Sequence, residues 1–182
     1  MKISQSFSVS QPLRVVWDLF QNIPEVARCM PGAELTEDKG NGVFAGRLGI
    51  KLGPFSAFFD GEAMVTPNLQ EHSGHVEGKG IDKRGGSRSK LLMDYRLLEE
   101  SSATRVTIDA DLQLSGPIAQ FGRVGIINET AAILIGQFVK NVEMKLTGLE
   151  TGDAEAAGAQ SISAGSVAWK LVKSRIFGSG TE

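Results

Sequence analysis

A chain of 182 residues and 19.4 kDa has room for one domain with a sizeable core plus a tail, and its 41% hydrophobic and 22% charged residues are ordinary for a soluble globular protein. A net charge of −2 and a pI near 5.8 argue against a dedicated nucleic-acid binder, which is usually basic. The single cysteine, Cys29, excludes an internal disulfide and suits a reducing cytosol, and MKISQSFSV has no apolar run of the signal-peptide kind.

In chain order, Ile3, Gln5, Phe7 and Val9 alternate with Lys2, Ser4, Ser6 and Ser8, which predicts a half-buried strand. Ser10 offers an N-cap and Pro12 an early helical position for LRVVWDLFQN, with Val16, Leu19 and Phe20 on its apolar face. Pro24 opens a second short helix, PEVARCM, which Pro31-Gly32 ends. From Ala33 to Ser115 the period falls to two. Phe44, Leu48, Ile50 and Leu52 share one face, and Phe55, Ala57, Phe59, Ala63 and Val65 another. Leu91, Met93, Tyr95 and Leu97 continue the pattern, and Val106, Ile108, Ala110, Leu112 and Leu114 oppose Arg105, Thr107, Asp109, Asp111 and Gln113. Turn signals at Lys39 to Gly42, Gly53-Pro54, Pro67-Asn68, Gly85-Gly86 and Glu99 to Ser102 separate these runs. The expectation is an antiparallel meander with one wet face and one dry face that needs a cover.

The cover is the apolar run from Pro117 to Gly148, read as one helix. Phe121, Val124, Ala131, Ile135, Phe138 and Val142 recur at spacings of three and four, and Ile126, Ile127, Ile133 and Leu134 widen the arc. Such a helix must be gripped over most of its circumference or span a bilayer. Arg123, Asn128, Glu129 and Gln137 break the run, so burial is the better reading. The predicted class is α+β, with a curved antiparallel sheet around a long C-terminal helix. The domain is assigned to residues 1–149, a small-residue polar linker to 150–164 and a short basic amphipathic tail to 165–182.

The segment NIPEVARCMPGAEL, with Cys29-Met30-Pro31-Gly32 at its centre, resembles the CoxG family of carbon monoxide dehydrogenase subunits, within the START-like (SRPBCC, Bet v 1-like) helix-grip superfamily. LGPFSAFFDGEAMV (Leu52 to Val65) and LSGPIAQFGR (Leu114 to Arg123) are similar in the same way, so the likeness covers about Met1 to Gly148. The resemblance implies a non-enzymatic accessory protein beside a molybdenum carbon monoxide dehydrogenase or related hydroxylase. It implies a link between that enzyme, the inner face of the cell membrane and its quinone pool. No cofactor is required beyond a bound quinone or other lipophilic molecule. The rivals are a pure recruitment adaptor with a filled core and a cyclase or hydrolase of the same superfamily.

Small residues crowd both expected surfaces: Ala45 or Gly46, Ala57, Gly61, Ala63, Gly78 and Gly80 on the sheet, Gly125, Ala131, Ala132 and Gly136 on the helix. They bring backbones together, bend strands or leave a cavity; the resemblance favours the cavity. Its expected lining is Phe44, Phe55, Phe59, Met93, Tyr95, Phe121, Ile127, Asn128, Ala131, Leu134 and Phe138. Asn128 and Glu129, mid-helix among apolar residues, need partners in the sheet or on a ligand.

No catalytic or metal site is predicted. His72 and His75 point to opposite faces if both lie on one strand, and Asp60, Glu62, Asp109 and Asp111 lie on wet faces. Cys29 has Arg28 beside it and little else to lower a thiol pKa. Lys79, Lys83, Arg84, Arg88 and Lys90 surround several glycines without a phosphate-loop pattern, which suits a solvated hairpin or a basic docking face. In the tail, Trp169, Leu171, Val172 and Ile176 form an apolar arc interrupted by Arg175, opposite Lys170 and Lys173. That pattern suits an anionic membrane surface or a protein partner.

Overall fold

The computed structural model describes residues 1–52, 55–121 and 124–148, the side chains of Leu52, Phe55, Phe121 and Val124 excepted. The linker and tail assigned to 150–182 lie outside the described residues. Strand β1 (Lys2–Val9) leads to helices α1 (Leu13–Gln21) and α2 (Ile23–Cys29). Then follow β2 (Ala33–Gly40), β3 (Val43–Leu52), β4 (Phe55–Asn68), β5 (Ser73–Asp82), β6 (Ser87–Glu100) and β7 (Ala103–Ser115). A 3₁₀ turn (Pro117–Phe121) and α3 (Val124–Leu146) complete the domain.

The seven strands form one antiparallel sheet in the order β1-β7-β6-β5-β4-β3-β2, so the first strand closes against the last. The predicted alternation survives strand by strand. On the dry face Leu48 stands opposite Phe59, Phe44 opposite Ala63, and Val65 opposite Val76. Gly61 and Gly80 face each other on β4 and β5, and a Cβ on Gly61 would lie 2.1 Å from the Lys79 carbonyl oxygen. Only glycine permits that approach between strands. The turn expected at Pro67-Asn68 falls later, because Pro67 still pairs with Gly74 inside the sheet. The Asn68 side chain then accepts hydrogen bonds from the amides of Gln70 and Glu71, each at 3.2 Å, and forms the turn.

Helix starts also differ from the sequence expectation. Pro12 occupies the cap of α1 with no side-chain cap bond, and the Ser10 amide instead donates to Glu143 on α3 at 3.0 Å. In α2 the Asn22 side chain accepts from the Glu25 amide at 3.3 Å, and Pro24 sits in the first turn.

The run from Pro117 to Gly148 is not one helix. Ile118 is fully buried, and its amide donates to the Ser87 hydroxyl at 3.2 Å, so the first segment is fastened to the sheet as a 3₁₀ turn. Tertiary burial of Ile118 therefore overrides the periodicity that joined Phe121 to Val124. The expected stop holds, with Gly148 at φ +71° in the left-handed region.

The grip on α3 is one-sided. Ile127, Phe138 and Val142 are buried and Ala131, Leu134 and Ile135 half-buried, whereas Ile133 is 62% exposed. Asn128 and Glu129 also face outward, so they need no buried partner, contrary to the expectation. The core lies in two clusters. The larger joins Val9, Val16, Phe20, Cys29, Tyr95, Leu97, Val106, Phe138 and Val142; the smaller joins Ala57, Phe59, Ile118 and Ile127.

Candidate functional site

A cavity of about 410 Å³ lies where the α1–α2 junction meets the ends of β3 and β4. Phe20, Gln21 and Ile23 come from the helices, Asn41, Gly42 and Phe44 from the start of β3, Val65, Thr66 and Pro67 from β4, and Tyr95 from β6. Local sequence explains each wall. Asn22 ends one helix and caps the next, which turns Ile23 towards β3. Asn41 and Gly42 take φ values of +53° and +77°, and a Cβ on Gly42 would stand 2.5 Å from the Val65 carbonyl oxygen. That glycine lets the turn close on β4, where the Val65 amide donates to the Gly42 carbonyl at 2.8 Å.

The lining is graded. Gln21, Asn41 and Thr66 are exposed, whereas Phe20 and Tyr95 at the floor are buried. The Phe20 and Tyr95 rings lie 5.7 Å apart between centroids, and Phe20 meets Phe138 of α3 edge-on at 6.2 Å. Phe138 in turn meets Phe7 of β1 at 6.1 Å, so an aromatic chain runs from the sheet edge through α3 to the cavity floor. Tyr95 is 7% exposed, and its hydroxyl has no hydrogen-bond partner among the described residues. Burial pushes its pKa above the ordinary phenol value, so it stays a neutral donor at physiological pH.

Of the residues predicted to line a cavity, Phe44 and Tyr95 do so here. Phe138 stands one ring behind the floor, and Phe59 and Ile127 pack in the smaller cluster. Met93, Ala131 and Leu134 are half-buried away from this cavity, and Asn128 is exposed. The side chains of Phe55 and Phe121, and the tail residues Trp169 to Ile176, lie outside the described residues. Phe20, Ile23, Val65 and Pro67 were missed; the Asn-Gly turn beside Phe44 was the available signal.

The remaining polar candidates are spent elsewhere. His72 sits in the turn before β5, not on the strand, and meets Trp17 edge-on at 5.2 Å. His75 faces outward, 2.7 Å from Asp94. Asp60 pairs with Arg47 at 3.0 Å and Lys83 at 3.7 Å, and Glu62 pairs with Lys39 and, at 3.4 Å, Lys79. The hydrogen bond from Lys39 holds the Glu62 carboxyl below the usual carboxylate range, the reverse of what a general acid needs. Asp109 accepts from Ser4 at 2.6 Å and Asp111 from the terminal amine at 3.0 Å. No metal-holding group of His, Cys, Asp or Glu occurs among the described residues.

The family model that matches, over residues 6–147, is that of the CoxG family of carbon monoxide dehydrogenase subunits. The chain belongs to that family. Solved structures share its fold. A conserved protein from Geobacillus kaustophilus aligns at TM-score 0.72 and 16% identity, over 81% of this chain and 96% of that one. A START superfamily protein from Mycobacterium smegmatis aligns at 0.52 and 13%, over 81% and 98%. The Zhui aromatase/cyclase from Streptomyces sp. R1128 aligns at 0.50 and 14%, over 88% and 99%. The comparison with curated proteins gives no match. No helix among the described residues is long and apolar enough to cross a membrane.

Proposed function

We propose that this CoxG family protein is a ligand-binding accessory protein of a molybdenum carbon monoxide dehydrogenase-like enzyme, with a quinone as its lipophilic ligand. The observation that carries the reading is the cavity of about 410 Å³ over the Phe20–Tyr95 floor in a chain of this family. An apolar cavity of ~150 Å³ already takes benzene, so this one has room for a two-ring head group. Its graded lining suits a molecule with an apolar body and a few polar atoms. Among the described lining residues Tyr95 is the one titratable side chain, which favours binding over hydrolysis or cyclisation. The basic amphipathic pattern of 165–182 supports peripheral attachment of the complex to the inner face of the membrane.

Native mass spectrometry of the full chain, paired with solvent extraction and lipid analysis, tests this. The expected result is a stoichiometric isoprenoid quinone released on extraction. Protein that is empty from every preparation, and stays empty after incubation with quinone-bearing vesicles, would favour the adaptor that recruits the enzyme without a ligand.

A further inference from the structure

Strand register carries the Tyr95 side chain towards the cavity. Tyr95 of β6 stands opposite Gly74 of β5, and Gly74 stands opposite Pro67 of β4, which lines the cavity. A Cβ on Gly74 would lie 2.4 Å from the Tyr95 hydroxyl oxygen and 2.5 Å from Cζ, so the ring tip lies directly over the glycine. The ring therefore crosses β5 with its hydroxyl leading towards β4. Buried hydroxyls are nearly always hydrogen-bonded, because leaving water without a new partner is unfavourable. Here the ring is 7% exposed and the hydroxyl has no partner among the described residues. The site is complete in shape and incomplete in hydrogen bonding.

We propose that the Tyr95 hydroxyl is the specificity-determining donor of the cavity, and that its acceptor is a carbonyl oxygen on a flat, neutral ring seated over Phe20. This rests on the reading of the cavity as a ligand site and adds what the site selects. An anionic head group would need a cation, and none lines the cavity among the described residues. A pure hydrocarbon would leave the hydroxyl unpaired. A neutral ring ketone or quinone satisfies both conditions.

The test uses the full chain and two probes of one shape, 2,3-dimethyl-1,4-naphthoquinone and 2,3-dimethylnaphthalene, measured by equilibrium dialysis. The blocked ring positions keep the quinone from adding to Cys29. Tyr95→Phe should weaken naphthoquinone binding about 3- to 10-fold, the usual span of one neutral hydrogen bond, and leave the hydrocarbon's affinity unchanged. The carbonyl stretch of the naphthoquinone bound to the wild type should lie below its position in hexane, and Tyr95→Phe should return it. Equal effects on both probes, or a hexane-like carbonyl band in the wild type, would overturn the assignment while the cavity reading stands. Failure of the wild type to bind either probe would overturn both. The carbonyl band is read on the wild type, so it decides the matter even if the variant folds poorly.

Discussion

Gly74→Ala tests the geometry on which the cavity floor depends. The added methyl would stand 2.4 Å from the Tyr95 hydroxyl oxygen, 2.5 Å from Cζ and 2.7 Å from Cε1. Non-bonded carbons rest at about 3.5–4.0 Å, so the ring must retreat by roughly 1 Å. It cannot do so freely, because Phe20 lies 5.7 Å away and Leu97 and Val106 fill the same cluster. Overpacking of this kind costs about 1–3 kcal/mol. Replacing glycine also removes unfolded-state freedom, which returns about 0.4–1 kcal/mol. The net loss should be roughly 0.5–2 kcal/mol, a fall in Tm of about 1–8 °C for a chain of this size.

A cycle with Tyr95→Leu separates the two terms. Leucine removes the ring tip, so in that background Gly74→Ala should be neutral or mildly stabilising. The coupling between the two sites should reach about 1 kcal/mol or more, as expected for residues in contact. The four proteins would be compared by urea and thermal unfolding. Additivity within about 0.3 kcal/mol would refute the placement of Tyr95 over Gly74, and the selectivity assigned to its hydroxyl would fall with it.

Two further outcomes are expected. The hydrogen bond from Lys145, outweighing burial, holds the Glu25 carboxyl below the usual range, so its stabilisation is present above the unfolded pKa and lost as pH falls through the lowered folded pKa. Glu25→Gln should therefore cost about 1 kcal/mol at neutral pH and nothing in strong acid, and parallel stability curves across pH would contradict this. Truncation after Gly158 should abolish flotation with anionic vesicles, and salt should weaken flotation of the full chain; equal flotation of both forms would show that Trp169 to Ile176 are not the anchor.

The sheet was legible because its dry face repeats every second residue over long strands, as Val106 to Leu114 does on β7. Turns with left-handed glycine or asparagine were legible at Gly42 and Gly148 for the same local reason. What failed was tertiary. Nothing near Pro117 signals that Ile118 will bury completely under a bond to Ser87, thirty-one residues away. The breadth of the apolar arc on α3 suggested an all-round grip, yet Ile133 lies outside it. Small residues on facing surfaces pointed to a cavity along α3, whereas the cavity over Phe20 and Tyr95 opens beyond the end of the helix seam. Its walls meet only through the register of β4 against β5 and the sharp α1–α2 junction, neither of which a linear period records.

That junction gives α2 two tasks at its two ends. Its last turns are fastened to α3: Glu25 pairs with Lys145, and Asn141 donates to the Cys29 carbonyl at 2.9 Å. Its first residue, Ile23, forms the cavity wall opposite Phe44. The clamp and the wall are thus parts of one seven-residue helix, with Asn22 as the pivot between α1 and α2. A helix so short has little stability of its own, so its position is set by what it touches. Loss of the clamp would free Ile23 as well as Glu25, and the cavity would widen from its helical side. The family motif around Cys29-Met30-Pro31-Gly32 lies at the clamped end, with Gly32 at φ +77° and a Cβ there only 2.4 Å from the Gly49 carbonyl oxygen. Gly32 fits where no other residue does, and the Gly49 amide donates back to its carbonyl at 2.8 Å. The motif therefore acts on the cavity from a distance: it pins the end of α2 to β3, and so fixes where Ile23 can stand.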